Sequence, residues 1–178
     1  LHLGSGMQLV GRGRHLPPPF PVTHAVAHWL MKSEPGECGI DDLVRLGSVA
    51  WIGVRNYQAR NFMRDAMQVG DGVLFYHSSC AEPGVAGLAE VASAAYPDAT
   101  QFDAASPYHD PKAQAGTPRW VNVDVKLVRK TRLLTLSEMR QQPALVTMQA
   151  LQRGNRLSIT PVTAAEWHTV SALLAARR

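Results

Sequence analysis

Beyond His28 the chain sustains no long apolar stretch. Its apolar residues come in short runs, Trp29 to Met31, Val73 to Tyr76 and Val85 to Ala89 among them, set between glycine and proline turns. Runs of this length bounded by turn residues read as β-strands. They follow one another in meander-like spacing, with a few helical segments between them. A doubly wound sheet needs regular alternation of strand and helix, which is missing here. The expected fold class is therefore α+β: a small curved sheet or mixed β-barrel with flanking short helices.

Local signals fill in the order of elements. His28 to Lys32 reads as a first strand, Ile40 to Leu46 as a helix closed by Gly47, and Val49 to Ile52 as a brief strand. Ala59, Phe62, Met63, Ala66 and Met67 recur at helical spacing, so they predict one buried stripe, with Asn56 as its N-cap. Gly70-Asp71-Gly72 turns the chain into a strand over Val73 to His77, and Pro83-Gly84 into another over Val85 to Ala94. Residues 97–118, with four prolines, form a long loop of the functional or mobile kind. Val121, Val123, Val125 and Leu127 alternate with Asn122, Asp124 and Lys126, which predicts a half-buried strand whose polar face meets solvent. Thr135 with Glu138, and Thr163 with Glu166, are capping boxes that open two late helices.

A chain of 178 residues suits one domain, and 46% hydrophobic against 18% charged residues is enough to build a core. Residues 1–27, rich in glycine and proline, read as a flexible tail, in which 1–6 resemble an expression-derived leader ahead of Met7. The folded domain is expected over 28–178. No apolar run approaches the roughly 18–20 residues of a membrane span. Two cysteines are too few for a disulfide framework, so a reducing, cytoplasmic setting is expected. Nothing in the sequence sets an oligomeric state, and a monomer is the favoured expectation.

The net charge of +4 is unevenly spread. Ten acids face four bases between Glu34 and Asp103, whereas eight bases face only Asp124 and Glu138 between Arg119 and Arg156. That asymmetry fits either an anionic partner such as nucleic acid or an ordinary solvated surface.

Metal and nucleophile chemistry find little support. His77 and Cys80 stand three apart, but no second pair completes a ligand set. Cys80 alone reads as packing, and no phosphate-binding glycine pattern precedes a helix. No cofactor is expected. Three segments remain. The run from Trp29 to Pro35 ends a strand on Lys32, Ser33 and Glu34. Trp51-Ile-Gly-Val-Arg-Asn-Tyr-Gln-Ala-Arg-Asn61 brings together an aromatic ring, Gly53, Val54, Arg55 and Asn56. Arg153-Gly-Asn-Arg-Leu-Ser158 mixes guanidinium, amide and hydroxyl groups. Each also has a plain structural reading: Trp29 and Trp51 as core, Asn56 as a cap, Arg55 paired with Glu34.

Taken together, Trp29-Leu-Met-Lys-Ser-Glu-Pro, Trp51-Ile-Gly-Val-Arg-Asn-Tyr-Gln-Ala-Arg-Asn, Val73-Leu-Phe-Tyr-His-Ser and Arg156-Leu-Ser-Ile-Thr-Pro-Val resemble the EVE domain, from about His28 to Val170. Cys38-Gly39 departs from that family's pattern, since a hydroxyl or amide cap is more typical at 39. The resemblance implies a PUA-like mixed barrel, a superfamily shared with the YTH readers of methylated RNA. It also implies a reader of modified bases, methylated or hydroxymethylated cytosine in particular, whose partners are DNA or RNA carrying such a base or a free modified nucleoside. Within that reading Trp29, Trp51 and Tyr76 are stacking candidates, and Ser33, Asn56, His77 and Ser158 would meet the base edge. Arg55 and Arg156 would hold phosphate, and Gly53 and Gly87 would allow close approach. Lys32, Val54 and Leu157 complete the expected ligand-binding set. The competing class is a small enzyme on a modified nucleoside, as in some ASCH-type relatives, with Lys32 and Glu34 as its reactive pair.

Overall fold

The computed structural model describes residues 25–176. The expected tail over 1–27 falls outside that range except for its last three residues. Of these, Ala27 is tied down: its N–H donates to Asp71 Oδ1 and its carbonyl accepts from Gly72.

Strands β1 (His28–Ser33) and β3 (Gly72–His77) run parallel at the centre, Trp29 opposite Val73 and Lys32 opposite Tyr76. Their continuous apolar runs follow from burial on both faces. Trp29, Met31, Val73 and Phe75 point into one core, with Trp51, Ile40, Leu43 and Met63. Leu30, Leu74 and Tyr76 point into the other, with Val85, Met139, Leu145 and Val170.

Around this pair the chain adds α1 (Pro35–Cys38), α2 (Ile40–Leu46), β2 (Ser48–Ala50), α3 (Tyr57–Asn61), β4 (Gly84–Val91), β5 (Tyr96–Pro97), β6 (Val121–Asn122), β7 (Asp124–Thr135), α4 (Leu136–Arg140), β8 (Ile159–Val162) and α5 (Ala164–Ala175). The main sheet is six-stranded and mixed, in the order β2-β7-β4-β3-β1-β8. The expected closed barrel does not form. β2 and β8 stand at opposite ends unpaired with each other. One is only three residues long, and the other carries Pro161, which has no N–H to extend a ladder. Irregularities in the β3–β4 and β4–β7 registers bend the open sheet.

Several boundaries differ from expectation for local reasons. The stripe after Asn56 begins as α3, with Asn56 Oδ1 accepting from Ala59, then widens into a π turn over Phe62–Ala66. The widening rotates Ala66 into solvent while Met63 and Met67 stay buried. Asn122 is 1% exposed rather than solvated, because β6 pairs with β5 and the strand breaks at Val123 before β7 begins. β7 runs on past Leu127 to Thr135, through the cationic stretch, whose charges find acids on neighbouring elements: Lys126 on Glu90 at 2.6 Å, Lys130 on Asp41 at 2.5 Å and Arg132 on Glu138 at 3.2 Å. With Arg119 on Asp110, half of the eight bases from Arg119 to Arg156 are paired. Both capping boxes form as read.

The long loop is anchored internally. Gln101, fully buried, accepts from Arg119 and Trp120 N–H through Oε1 and donates to the Asp98 and Trp120 carbonyls through Nε2. Among the described residues no helix is long and apolar enough to cross a membrane.

Candidate functional site

β1 and β3 end side by side, and the segments that leave them enclose a cleft of about 990 Å³. That lies at the upper end of the roughly 300–1,000 Å³ of small-molecule sites. From β1 and α1 come Lys32, Ser33, Glu34, Glu37 and Cys38, and from β2 and the turn after it Val49 to Arg55. Ser78 and Ser79 follow β3, Pro107 and Tyr108 come from the long loop, and Arg156 and Ser158 precede β8. Ser79 holds φ at +53°, a left-handed conformation uncommon outside glycine.

Trp51 is 7% exposed and sits edge-on to Phe75 at 5.5 Å between ring centroids, so it forms a fixed apolar surface between core and cleft. Tyr108 faces the turn after β2 from the loop side, against Gly53. Gly53 has φ +83°, and a Cβ there would meet the Tyr108 ring at 2.7–2.9 Å. Its close approach therefore serves Tyr108, and Gly87 likewise makes room for Ile40 and the Arg129 carbonyl.

Arg55 holds this wall in place. Its Nε and Nη2 donate to the Tyr108 carbonyl at 2.9 and 2.7 Å, Nη1 to the Val54 carbonyl and Asp98 Oδ2 at 2.9 and 3.1 Å, and Nη2 also to Thr100 Oγ1 at 3.0 Å. All five guanidinium donors are occupied. No donor is left for phosphate, and the carboxylate partner is Asp98, not Glu34. Asp98 is fully buried and also accepts from the N–H groups of Gly53 and Thr100. Burial works to raise its carboxyl, but the hydrogen bonds from Thr100, Gly53 and Arg55 outweigh it and hold the group below the ordinary carboxylate range.

The cleft's polar groups differ in what they have left to offer. Ser33 Oγ donates to the Cys38 carbonyl at 2.6 Å and is spent as a donor. Ser158 leaves its hydroxyl without a partner among the described residues, while its carbonyl accepts from Lys32 N–H at 2.8 Å. Lys32 makes no ion pair among the described residues. Its ammonium lies 5.9 Å from the Tyr76 ring centre, and burial pulls it below the ordinary lysine range. Tyr108 donates its hydroxyl to Glu37 Oε2 at 2.8 Å, joining the loop to α1. Burial raises the Cys38 thiol, with Asp42's charge adding to it, the reverse of what a nucleophile requires.

Of the expected residues, the structure brings Lys32, Ser33, Trp51, Gly53, Val54, Arg55, Arg156 and Ser158 to this cleft. It places the other five elsewhere. Trp29 is 5% exposed in the core and donates its indole N–H to Asp71 Oδ2 at 3.0 Å. Tyr76 is 5% exposed on the opposite face of the sheet from Trp51. Asn56 is occupied as the α3 cap, and the Leu157 N–H donates to Asn155 Oδ1. His77 Nε2 accepts the Ile40 N–H at 3.0 Å. It thus supplies at the start of α2 an acceptor that glycine at 39 cannot, while Asp42 takes the Gly39 N–H at 2.8 Å. Burial lowers the His77 imidazole, partly opposed by Asp41, which keeps Nε2 free to accept.

The sequence pattern of the EVE domain family matches residues 27–173. The chain belongs to the EVE domain family. This EVE domain is 42% identical over 166 residues to human thymocyte nuclear protein 1, a match covering 83% of this chain and 73% of that protein. In structure it is similar to a Pseudomonas putida protein, with TM-score 0.80, 53% identity and 83% and 99% of the two chains covered. It is also similar to human THYN1 crystallised in complex with 5-methylcytosine-containing DNA, with TM-score 0.76, 40% identity and 85% and 99% covered.

Sequence reasoning missed Tyr108, Glu37 and Ser79 in this EVE domain. The one signal for Tyr108 was its position in a loop too long to be a mere connection. Nothing local marks Ser79. Among the described residues no group of three or more His, Cys, Asp or Glu side chains is placed to hold a metal ion.

Proposed function

We propose that this EVE domain reads a modified base, a cytosine methylated or hydroxymethylated at its 5 position, drawn out of the nucleic-acid stack into the cleft. The observation that carries the reading is the cleft's composition: aromatic surfaces from Trp51 and Tyr108, a carboxylate from Glu34, the Ser158 hydroxyl, and the cations Lys32 and Arg156. A cytosine edge presents an amine donor beside ring acceptors, and a flipped base is read by stacking plus such edge contacts. Glu34 would accept from the amine, and Ser158 and Lys32 would donate to the ring. Val49 and Val54 supply the apolar corner that a 5-methyl group needs. The complex of human THYN1 with 5-methylcytosine DNA supports the same ligand class. Two free thiols, Cys38 and Cys80, fit a reducing compartment.

The test is a titration with two oligonucleotides that differ only in one 5-methyl group. Burying that methyl contributes about 0.8 kcal/mol, so the methylated strand should bind about fourfold tighter or better. Equal affinities refute the reading. A second reading, hydrolysis of an acylated nucleoside, draws on the lowered Lys32 amine. Product formation from N-acylated cytidine that vanishes in Lys32→Ala would establish it in place of the first.

A further inference from the structure

A second aromatic feature lies outside the cleft. Tyr57, the first residue of α3, is 48% exposed yet firmly placed. Its ring stacks on buried Trp120 at 4.9 Å and 26°, and its hydroxyl accepts a hydrogen bond from Arg119 Nη2. Trp120 is in turn fixed by its indole N–H, which donates to Asp110 Oδ2 at 2.8 Å.

Arg60 lies 4.7 Å from the Tyr57 ring centre and 5.8 Å from that of Trp120. A guanidinium lying across Tyr57 from Trp120 would be far more distant from the indole, so Arg60 edges the stack. Arg119 lies at 5.8 Å from the same ring centre, and with one face of Tyr57 against Trp120 its 48% exposure falls mainly on the outer face. Arg60 hydrogen-bonds only to neutral oxygens, Asn61 Oδ1 and the Arg119 carbonyl; Asp65 acts on it through charge alone and is itself bonded to Arg64, so Arg60 makes no ion pair among the described residues. This platform also connects to the cleft: the Arg55 guanidinium lies 5.7 Å from the Tyr108 ring and 5.5 Å from Trp120.

An exposed aromatic face rimmed by guanidinium groups is the combination that holds single-stranded nucleic acid, by base stacking and phosphate attraction together. We propose that Tyr57 is a second nucleotide subsite, where a base flanking the one in the cleft stacks while Arg60 faces its phosphate and Arg119, paired with Asp110 at 3.4 Å, holds the Tyr57 hydroxyl. The proposal rests on the nucleic-acid reading of the cleft but does not depend on which base the cleft prefers.

The experiment titrates the whole protein with a labelled single-stranded oligonucleotide carrying one central 5-methylcytosine, the same strand with plain cytosine, and free 5-methyldeoxycytidine. Tyr57→Ala should weaken both oligonucleotides by about tenfold to a hundredfold. Tyr57→Phe, which keeps the ring, should stay within about twofold of wild type. Nucleoside affinity should be unchanged. Oligonucleotide affinity untouched by Tyr57→Ala overturns the subsite, and so does a matching loss of nucleoside affinity, which would place the effect in the cleft. If the wild type binds both strands alike and Tyr57→Ala weakens both, the subsite stands while the modified-base reading falls. If the wild type binds neither strand, both fall.

Discussion

Removing the Arg55 side chain separates two accounts of this residue, a phosphate ligand and a clamp on the long loop. In the structure Arg55 is 22% exposed and joins a fully buried Asp98 to the Tyr108 and Val54 carbonyls and the Thr100 hydroxyl. Removing one partner of a buried pair costs about 3–5 kcal/mol, because the other charge is left uncompensated. Asp98 keeps three donors in Arg55→Ala, the N–H groups of Gly53 and Thr100 and the Thr100 hydroxyl. With Arg55 also partly in contact with solvent, the cost falls at the lower end, about 3 kcal/mol. For a chain of this size that lowers the melting temperature by about 6–12 °C. Urea unfolding and thermal melts of Arg55→Ala and Arg55→Lys measure it, and Lys should recover little, since one ammonium cannot serve carbonyls, carboxylate and hydroxyl in a plane. Wild-type stability in Arg55→Ala, together with a shallower salt dependence of oligonucleotide binding, would refute the clamp.

Three further outcomes are expected. Gly53→Ala should destabilise the protein and loosen Tyr108, by about 1 kcal/mol or more, because it combines φ +83° with a Cβ inside the tyrosine ring, and a melting curve checks it. Burial lowers both the His77 and His28 imidazoles, so the unfolded chain takes up these protons first as pH falls below about 6.5, and stability declines through that window. Urea titrations from pH 7.5 to 5 should show a smaller decline in His77→Gln, which keeps an acceptor without the titration; an unchanged decline would contradict the assignment. With Arg156 and Arg60 facing phosphate, the log–log salt slope for duplex binding should be roughly −2. Arg156→Ala should lessen it by about 1, whereas Lys130→Ala, already paired with Asp41, should not.

How legible the fold was depended on whether a residue's partner lay nearby in sequence. The capping boxes at Thr135 and Thr163 are local, and both could be read directly. β1 and β3 were legible because double burial leaves continuous apolar runs. The remainder of β7 was hidden, because its run of charged residues reads as a solvated stretch in sequence and its pairing, with β4 and with Asp41, 89 residues from Lys130, arises only in the folded sheet. Trp29 and Trp51 sit in similar sequence surroundings, yet Asp71 draws one indole into the core while the turn after β2 brings the other to the cleft. Tyr108 was beyond reach for the same reason. Its placement depends on Arg55 and Glu37, 53 and 71 residues away, and no periodicity in a proline-rich loop encodes that.

A crystal structure of the protein with an oligonucleotide bearing a single 5-methylcytosine tests the central claim most directly. The account predicts the methylated base out of its stack and inside the cleft, its ring against Trp51 or Tyr108 and its polar edge between Glu34 and Ser158. A bound strand whose methylated base remains stacked in the nucleic acid, or lies anywhere outside that cleft, would contradict it.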